Sequence, residues 1–118
     1  MAELYRRDPA FAADMVCNVL EDGDEFEMSY LLNQMIDVFD KLGGMAPGLE
    51  SRLRGFYSKS NWLHWERNIL DGWYCVPVET GFAVYYQERG HHEPGQHFLL
   101  ENDAIWCAIK SAVVSMHR

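Results

Sequence analysis

The chain has 118 residues, 48% of them hydrophobic and 14% aromatic, which is enough apolar side chain for one folded domain with its own core and excludes a disordered chain. Its formal charge of -8 argues against binding nucleic acid by neutralising phosphates and favours a basic partner. Cysteines at 17, 75 and 107 are odd in number and widely spaced, so no disulfide framework or CxxC metal motif can be read, and their apolar neighbours suit buried thiols in a reducing compartment.

No apolar run approaches the roughly 20 residues of a membrane-spanning helix. Arg6 and Arg7 are followed at once by Asp8 and by no apolar stretch of the signal type, so no secretory signal is expected and a cytoplasmic location is. Asp8-Pro9 marks a helix start, because the Asp side chain can accept from a free backbone N–H and a proline at the first helical position has no N–H to leave unsatisfied. Phe11, Met15, Val16 and Val19 recur at helical spacing, which predicts a first helix over residues 9–20. Gly23 ends it, and Asp24 followed by Glu27 has the spacing of a capping box. The second helix carries Leu31, Met35, Val38 and Leu42 on one face, widened by Phe39, and stops at Gly43-Gly44. With so short a link the two helices form an antiparallel hairpin. Residues 47–54 predict a third, short helix ending at Gly55, with Leu49 and Leu53 inward.

Ser60–Leu70 fits a helix through Trp62, Trp65 and Ile69, and a strand through Leu63, Trp65, Arg67 and Ile69. Asp71-Gly72 favours the strand, because that dipeptide suits a type I′ hairpin turn. Tyr74, Val76 and Val78 alternate with Cys75 and Pro77 in the next strand, where Pro77 points to an edge or a bulge. Beyond a Thr80-Gly81 turn, Phe82, Val84 and Tyr86 alternate with Ala83, Tyr85 and Gln87. A polar loop then leads to a short strand at His97-Phe98-Leu99, and Asn102 caps a final helix that buries Ile105, Ala108, Ile109, Ala112, Val113 and Met116. With no repeat or composition break, residues 1–118 read as a single α+β domain. It has an N-terminal helical hairpin plus a short helix, then a three- or four-stranded antiparallel meander with a C-terminal helix packed on it.

From Asp8 to Asp40 there are nine carboxylates and no lysine or arginine, half of the chain's 18 acids. Some of these acids suit helix N-termini, where the dipole favours negative charge. Together they also make a negative face able to steer a basic partner. Residues 41–70 carry five basic side chains against two acids, so charge is polarised along the chain. His91, His92, Glu93 and His97 are metal-ligating types, but adjacent loop histidines rarely converge on one ion and no second cluster completes the set; no metal and no cofactor is expected. There is no GxSxG, P-loop or dinucleotide glycine pattern, and Glu66, Glu79 and Glu88 form no readable acid–base pair, so no enzymatic activity is expected. Tyr85 and Tyr86 point to opposite faces of their strand, which leaves one ring on the second face of the sheet as a possible anchor for a partner.

The segment GFAVYYQERGHHEPGQHFLLENDAIWCAI resembles the C-terminal part of small bacterial immunity proteins that protect cells from polymorphic or contact-dependent growth inhibition toxins. The residues that carry the resemblance are Val84-Tyr85-Tyr86, Glu88-Arg89-Gly90, Phe98, and Glu101 with Ala104, and ILDGWYCVPVE fits the preceding strand. The resemblance implies a protein that binds a cognate toxin domain, expected to be basic and nuclease-like, and blocks its active site or substrate groove. YRRDPAFAADMVCNVLEDGDEFE with KLGGMA is similar to the opening of addiction-module antidote proteins of the helix-turn-helix type, which implies an alternative role as an antitoxin and transcriptional regulator. After Gly44, however, the chain turns to Trp-rich, strand-like sequence instead of a recognition helix. A small ligand-binding or enzymatic domain using the loop histidines is the third reading. Charge and resemblance together place the toxin contact on Glu21, Asp22, Asp24, Glu25, Glu27, Asp37 and Asp40, with Glu88 and Tyr85, and imply neither nucleic acid nor membrane as a partner.

Overall fold

The computed structural model describes residues 8–42 and 48–117. The expected helix stop at Gly43-Gly44 and the helix start at Pro47 lie outside the described residues.

Helix α1 (Pro9–Asp22) begins where Asp8 Oδ1 accepts from the Phe11 N–H at 3.1 Å, and ends at Gly23, whose N–H reaches the Val19 carbonyl at 2.8 Å. Helix α2 (Glu25–Lys41) is capped by Asp24, whose Oδ1 accepts from the Glu27 N–H at 2.8 Å. Both caps stand where the sequence puts them. Ala12 and Val16 of α1 join Met28, Leu32, Met35, Val38 and Phe39 of α2 in one core. Leu42, expected inside, follows the last helical turn and is 57% exposed. Helix α3 (Leu49–Phe56) runs through Gly55, where a stop was expected, and buries Leu49 and Leu53, with Tyr57 just beyond it.

Five strands follow among the described residues: β1 (Leu63–His64), β2 (Gly72–Val78), β3 (Gly81–Glu88), β4 (His91–His92) and β5 (Gln96–Phe98). They form one sheet in the order β1, β2, β3, with β4 and β5 in succession along the far side of β3. The antiparallel β2–β3 hairpin is the expected one, turning through Glu79-Thr80. Pro77 lies beyond the two residues that β1 pairs, where β2 has a neighbour on one side only.

The first strand departs from the expected meander. β1 runs parallel to β2, pairing Leu63 with Trp73 and His64 with Tyr74, so Asp71-Gly72 is not a hairpin turn. Gly72 instead opens β2 at φ 137°, and a Cβ there would stand 2.9 Å from the Trp62 carbonyl oxygen. The glycine answers a close backbone approach, a need that looks identical in sequence to a type I′ turn. Of Ser60–Leu70, only Leu63–His64 is strand, and the remainder is neither helix nor strand.

Along the far edge, Gln87 pairs with His92 while Val84 pairs with Gln96, so four steps of one strand oppose three of β3. That is a β-bulge at residues 93–95, made by Gly95 at φ 73°. A Cβ on Gly95 would come within 2.3 Å of the Val84 carbonyl oxygen.

Helix α4 (Glu101–Met116) closes the core, touching α2, α3, β1, β2, β3 and β5. Its N-cap is Leu100 and not Asn102, and no side chain caps it; Glu101 and Asp103 complement the positive end of its dipole. Ile105, Ala108, Ile109, Ala112 and Val113 are buried as expected, while Met116, at the open end, is 42% exposed. Among the described residues, no helix is long and apolar enough to cross a membrane. The architecture is the expected α+β one, with helices first, then a sheet that proves mixed, then a helix packed on it.

The outer face of the sheet is also buried. Tyr74, Val76 and Tyr85 form a second apolar cluster there. Rings from four strands meet across it: His64 to Tyr74 at 4.8 Å, Tyr74 stacked on Tyr85 at 5.1 Å, and Tyr85 to His92 at 4.7 Å between centroids. The segment joining β1 to β2 covers this face, held by bonds to its carbonyls. Tyr74 Oη donates to the Leu70 carbonyl at 2.6 Å, and Gln87 Nε2 donates to the Asn68 and Leu70 carbonyls at 2.9 and 3.1 Å.

Candidate protein-binding surface

The acids singled out in the sequence divide into two groups. Glu21, Asp22, Asp24, Glu25 and Glu27 surround the α1–α2 turn, all exposed except the half-buried Glu25. Asp37 lies twelve positions beyond Glu25 on α2, about 18 Å along the helix axis. Asp24 caps α2 and Glu25 and Glu27 stand in its first turn, where the dipole favours negative charge, whereas Glu21 and Asp22 end α1, where the dipole opposes it.

Among the described residues, Glu21, Asp22, Asp24 and Glu27 have no cationic partner within ion-pair distance. Burial holds the Glu25 carboxyl above its ordinary range, and the Asp24 charge pushes the same way, against a hydrogen bond from Ser60. Asp40 belongs to neither group: Trp106 Nε1 donates to its carboxylate at 3.0 Å, and Lys110 Nζ pairs with it at 3.1 Å. It is therefore neutralised within the fold. Glu88 is exposed at the end of β3, beside the hairpin turn to β4.

Tyr85 is not the accessible ring that the sequence suggested. It is 4% exposed, stacked on Tyr74, with His92 beside it and the Arg67 guanidinium 5.9 Å from its ring centre. The reason is the segment over the outer face, which covers a side that a simple meander would leave open. Tyr86, on the helix-facing side of β3, is the more accessible of the pair at 36%.

Two exposed aromatics escaped sequence reading. Phe26 and Tyr30 are 70% and 57% exposed, one turn apart on α2 and within the acidic stretch. The available signal was their position off the Leu31–Met35–Val38 stripe, which places two rings on the polar side of an amphipathic helix. The Tyr30 ring meets His117, beyond the end of α4, edge-on at 6.3 Å. The acidic turn, the α2 aromatics and the end of α4 thus share one end of the molecule.

The loop histidines do not gather. His92 packs on Tyr85 and His97 Nε2 bonds to the Thr80 carbonyl, and among the described residues no group of three or more His, Cys, Asp or Glu could hold a metal ion. No family model, curated protein or solved structure matches the chain.

Proposed function

We propose that the protein is an inhibitor of a basic protein partner, an immunity protein that neutralises a cognate toxin domain by covering its active site or substrate groove. The observation that carries this reading is the α1–α2 turn, where carboxylates that have no cationic partner among the described residues stand beside the exposed Phe26 and Tyr30. Carboxylates of one sign steer a basic partner during encounter, and desolvated aromatic rings supply contact energy once it has docked. A nuclease groove that accepts phosphates would accept such a face in their place.

The test is co-expression with the toxin domain encoded in the neighbouring reading frame. The variant Glu21→Gln, Asp22→Asn, Glu27→Gln removes charge while keeping the Asp24 cap and the Glu25–Ser60 contact. Its thermal midpoint should be unchanged, its association slowed at least about tenfold at low salt, and its protection reduced. Unchanged association and protection would remove the reading. Retarded operator DNA at low salt would favour the antitoxin alternative instead.

A further inference from the structure

Beside α4, at the same end of the molecule as the acidic turn, lies a cavity of about 280 Å³. Trp62, Trp73, Tyr86 and Met116 line it, together with Asp71 and Ser115. Trp73 and Tyr86 are register partners on β2 and β3, their ring centres 5.5 Å apart. Trp62 enters because β1 runs parallel to β2 and the Gly72 backbone meets the Trp62 carbonyl without an intervening side chain. The site is thus a product of the parallel strand.

Asp71 is the charged residue among those that line the cavity. The Trp73 indole N–H is already donated to Ser115 Oγ at 3.1 Å, and the Trp73 backbone N–H to the Trp62 carbonyl at 3.0 Å. Asp71 accepts from the Arg89 N–H through Oδ1 at 2.8 Å, which fixes the carboxylate beside the slot. Three aromatic residues and one anchored carboxylate suit a flat cation, whereas an anion would meet the Asp71 charge.

We infer that this slot receives an arginine side chain projecting from the basic partner, its guanidinium stacked on the aromatic walls and bonded to Asp71. The inference rests on the function proposed above and names the contact made. Arginine is favoured over lysine because a planar guanidinium stacks on rings and engages a carboxylate through a fork of donors. Charge complementarity supports the same occupant: Ser60, two residues before Trp62, contacts Glu25 of the acidic turn, and Met116 adjoins His117, which touches Tyr30. A partner steered to the acidic turn would therefore meet the slot on the same approach.

The experiment uses the full chain with N-acetyl-arginine-methylamide as probe, followed by NMR of the Trp62 and Trp73 indole N–H signals. Both signals should shift saturably. The neutral isostere N-acetyl-citrulline-methylamide should bind at least about fivefold more weakly. Tyr86→Leu and Asp71→Asn should each weaken the arginine response by about fivefold with unchanged thermal midpoints. No saturable shift, or equal response to citrulline, overturns the inference, and equal response to N-acetyl-lysine-methylamide overturns the assignment to arginine. A toxin complex that forms while the slot stays silent sinks this inference alone. A slot that responds while the toxin domain does not bind sinks the immunity reading alone.

Discussion

The Asp40 carboxylate accepts from the Trp106 indole N–H at 3.0 Å and pairs with Lys110 at 3.1 Å, joining α2 to α4 across 66 and 70 positions of sequence. An acid grouped with the partner-facing ones is in fact a fastener between two helices. Asp40→Ala should therefore cost about 1–2 kcal/mol in urea denaturation, while association with a basic partner stays unchanged. A slowed association with no loss of stability would reverse that assignment.

Gly90 and Gly95 both have positive φ, but only Gly95 is crowded. Alanine at Gly90 should cost about 1 kcal/mol, the left-handed backbone penalty alone. Alanine at Gly95 should cost about 2 kcal/mol or more, since the added methyl group meets the Val84 carbonyl and β5 must shift. Denaturation midpoints of the two variants measured side by side test the bulge, and equal losses would contradict it.

Burial pushes the Cys75 thiol up to about 12; Cys107 and Glu101 add to the shift and Arg54 opposes it. At pH 8 only about one thiol in ten thousand is then the reactive thiolate. In the folded protein, Cys75 should stay unmodified by iodoacetamide on a timescale that labels it fully in denaturant, as peptide mass analysis would show.

Glu25 has its carboxyl raised by burial in the folded protein, so the folded state holds the proton more tightly than the unfolded one. Folding therefore carries a penalty that is absent below the ordinary value of 4.5, grows as pH rises above it and is complete once pH has passed the raised one. Glu25→Gln, which keeps an acceptor for Ser60, should be more stable than the native chain at pH 7 by less than about 1 kcal/mol, because solvent screens the group. The difference should vanish near pH 4. A variant less stable at pH 7 would contradict the sign.

Local rules made the helices legible. Asp8 and Asp24 cap because short carboxylates at those positions reach free N–H groups, and the Ile105–Val113 stripe is buried because its period matches a helix packed on a sheet. What stayed hidden depends on distant partners. Nothing near Tyr85 in sequence announces that Arg67 and Asn68 lie over its face of the sheet, and Gly72 looks the same whether it makes a turn or admits a carbonyl. The acidic turn could be read from charge alone, whereas the slot could not, since Trp62, Trp73, Tyr86 and Met116 meet only after β1 has paired in parallel.

Helix α4 touches most of the other elements, yet it is synthesised after all of them. A growing chain that has reached only Leu100 carries the β2–β3 hairpin but has nothing to cover Cys75, Val84 and Phe82 on its helix side. Until α4 arrives, that apolar face is open to neighbouring nascent chains, and the hazard at this stage is aggregation, not misbinding. The chain should therefore gain its cooperative, protease-resistant state in one step, when residues 101–116 become free to dock.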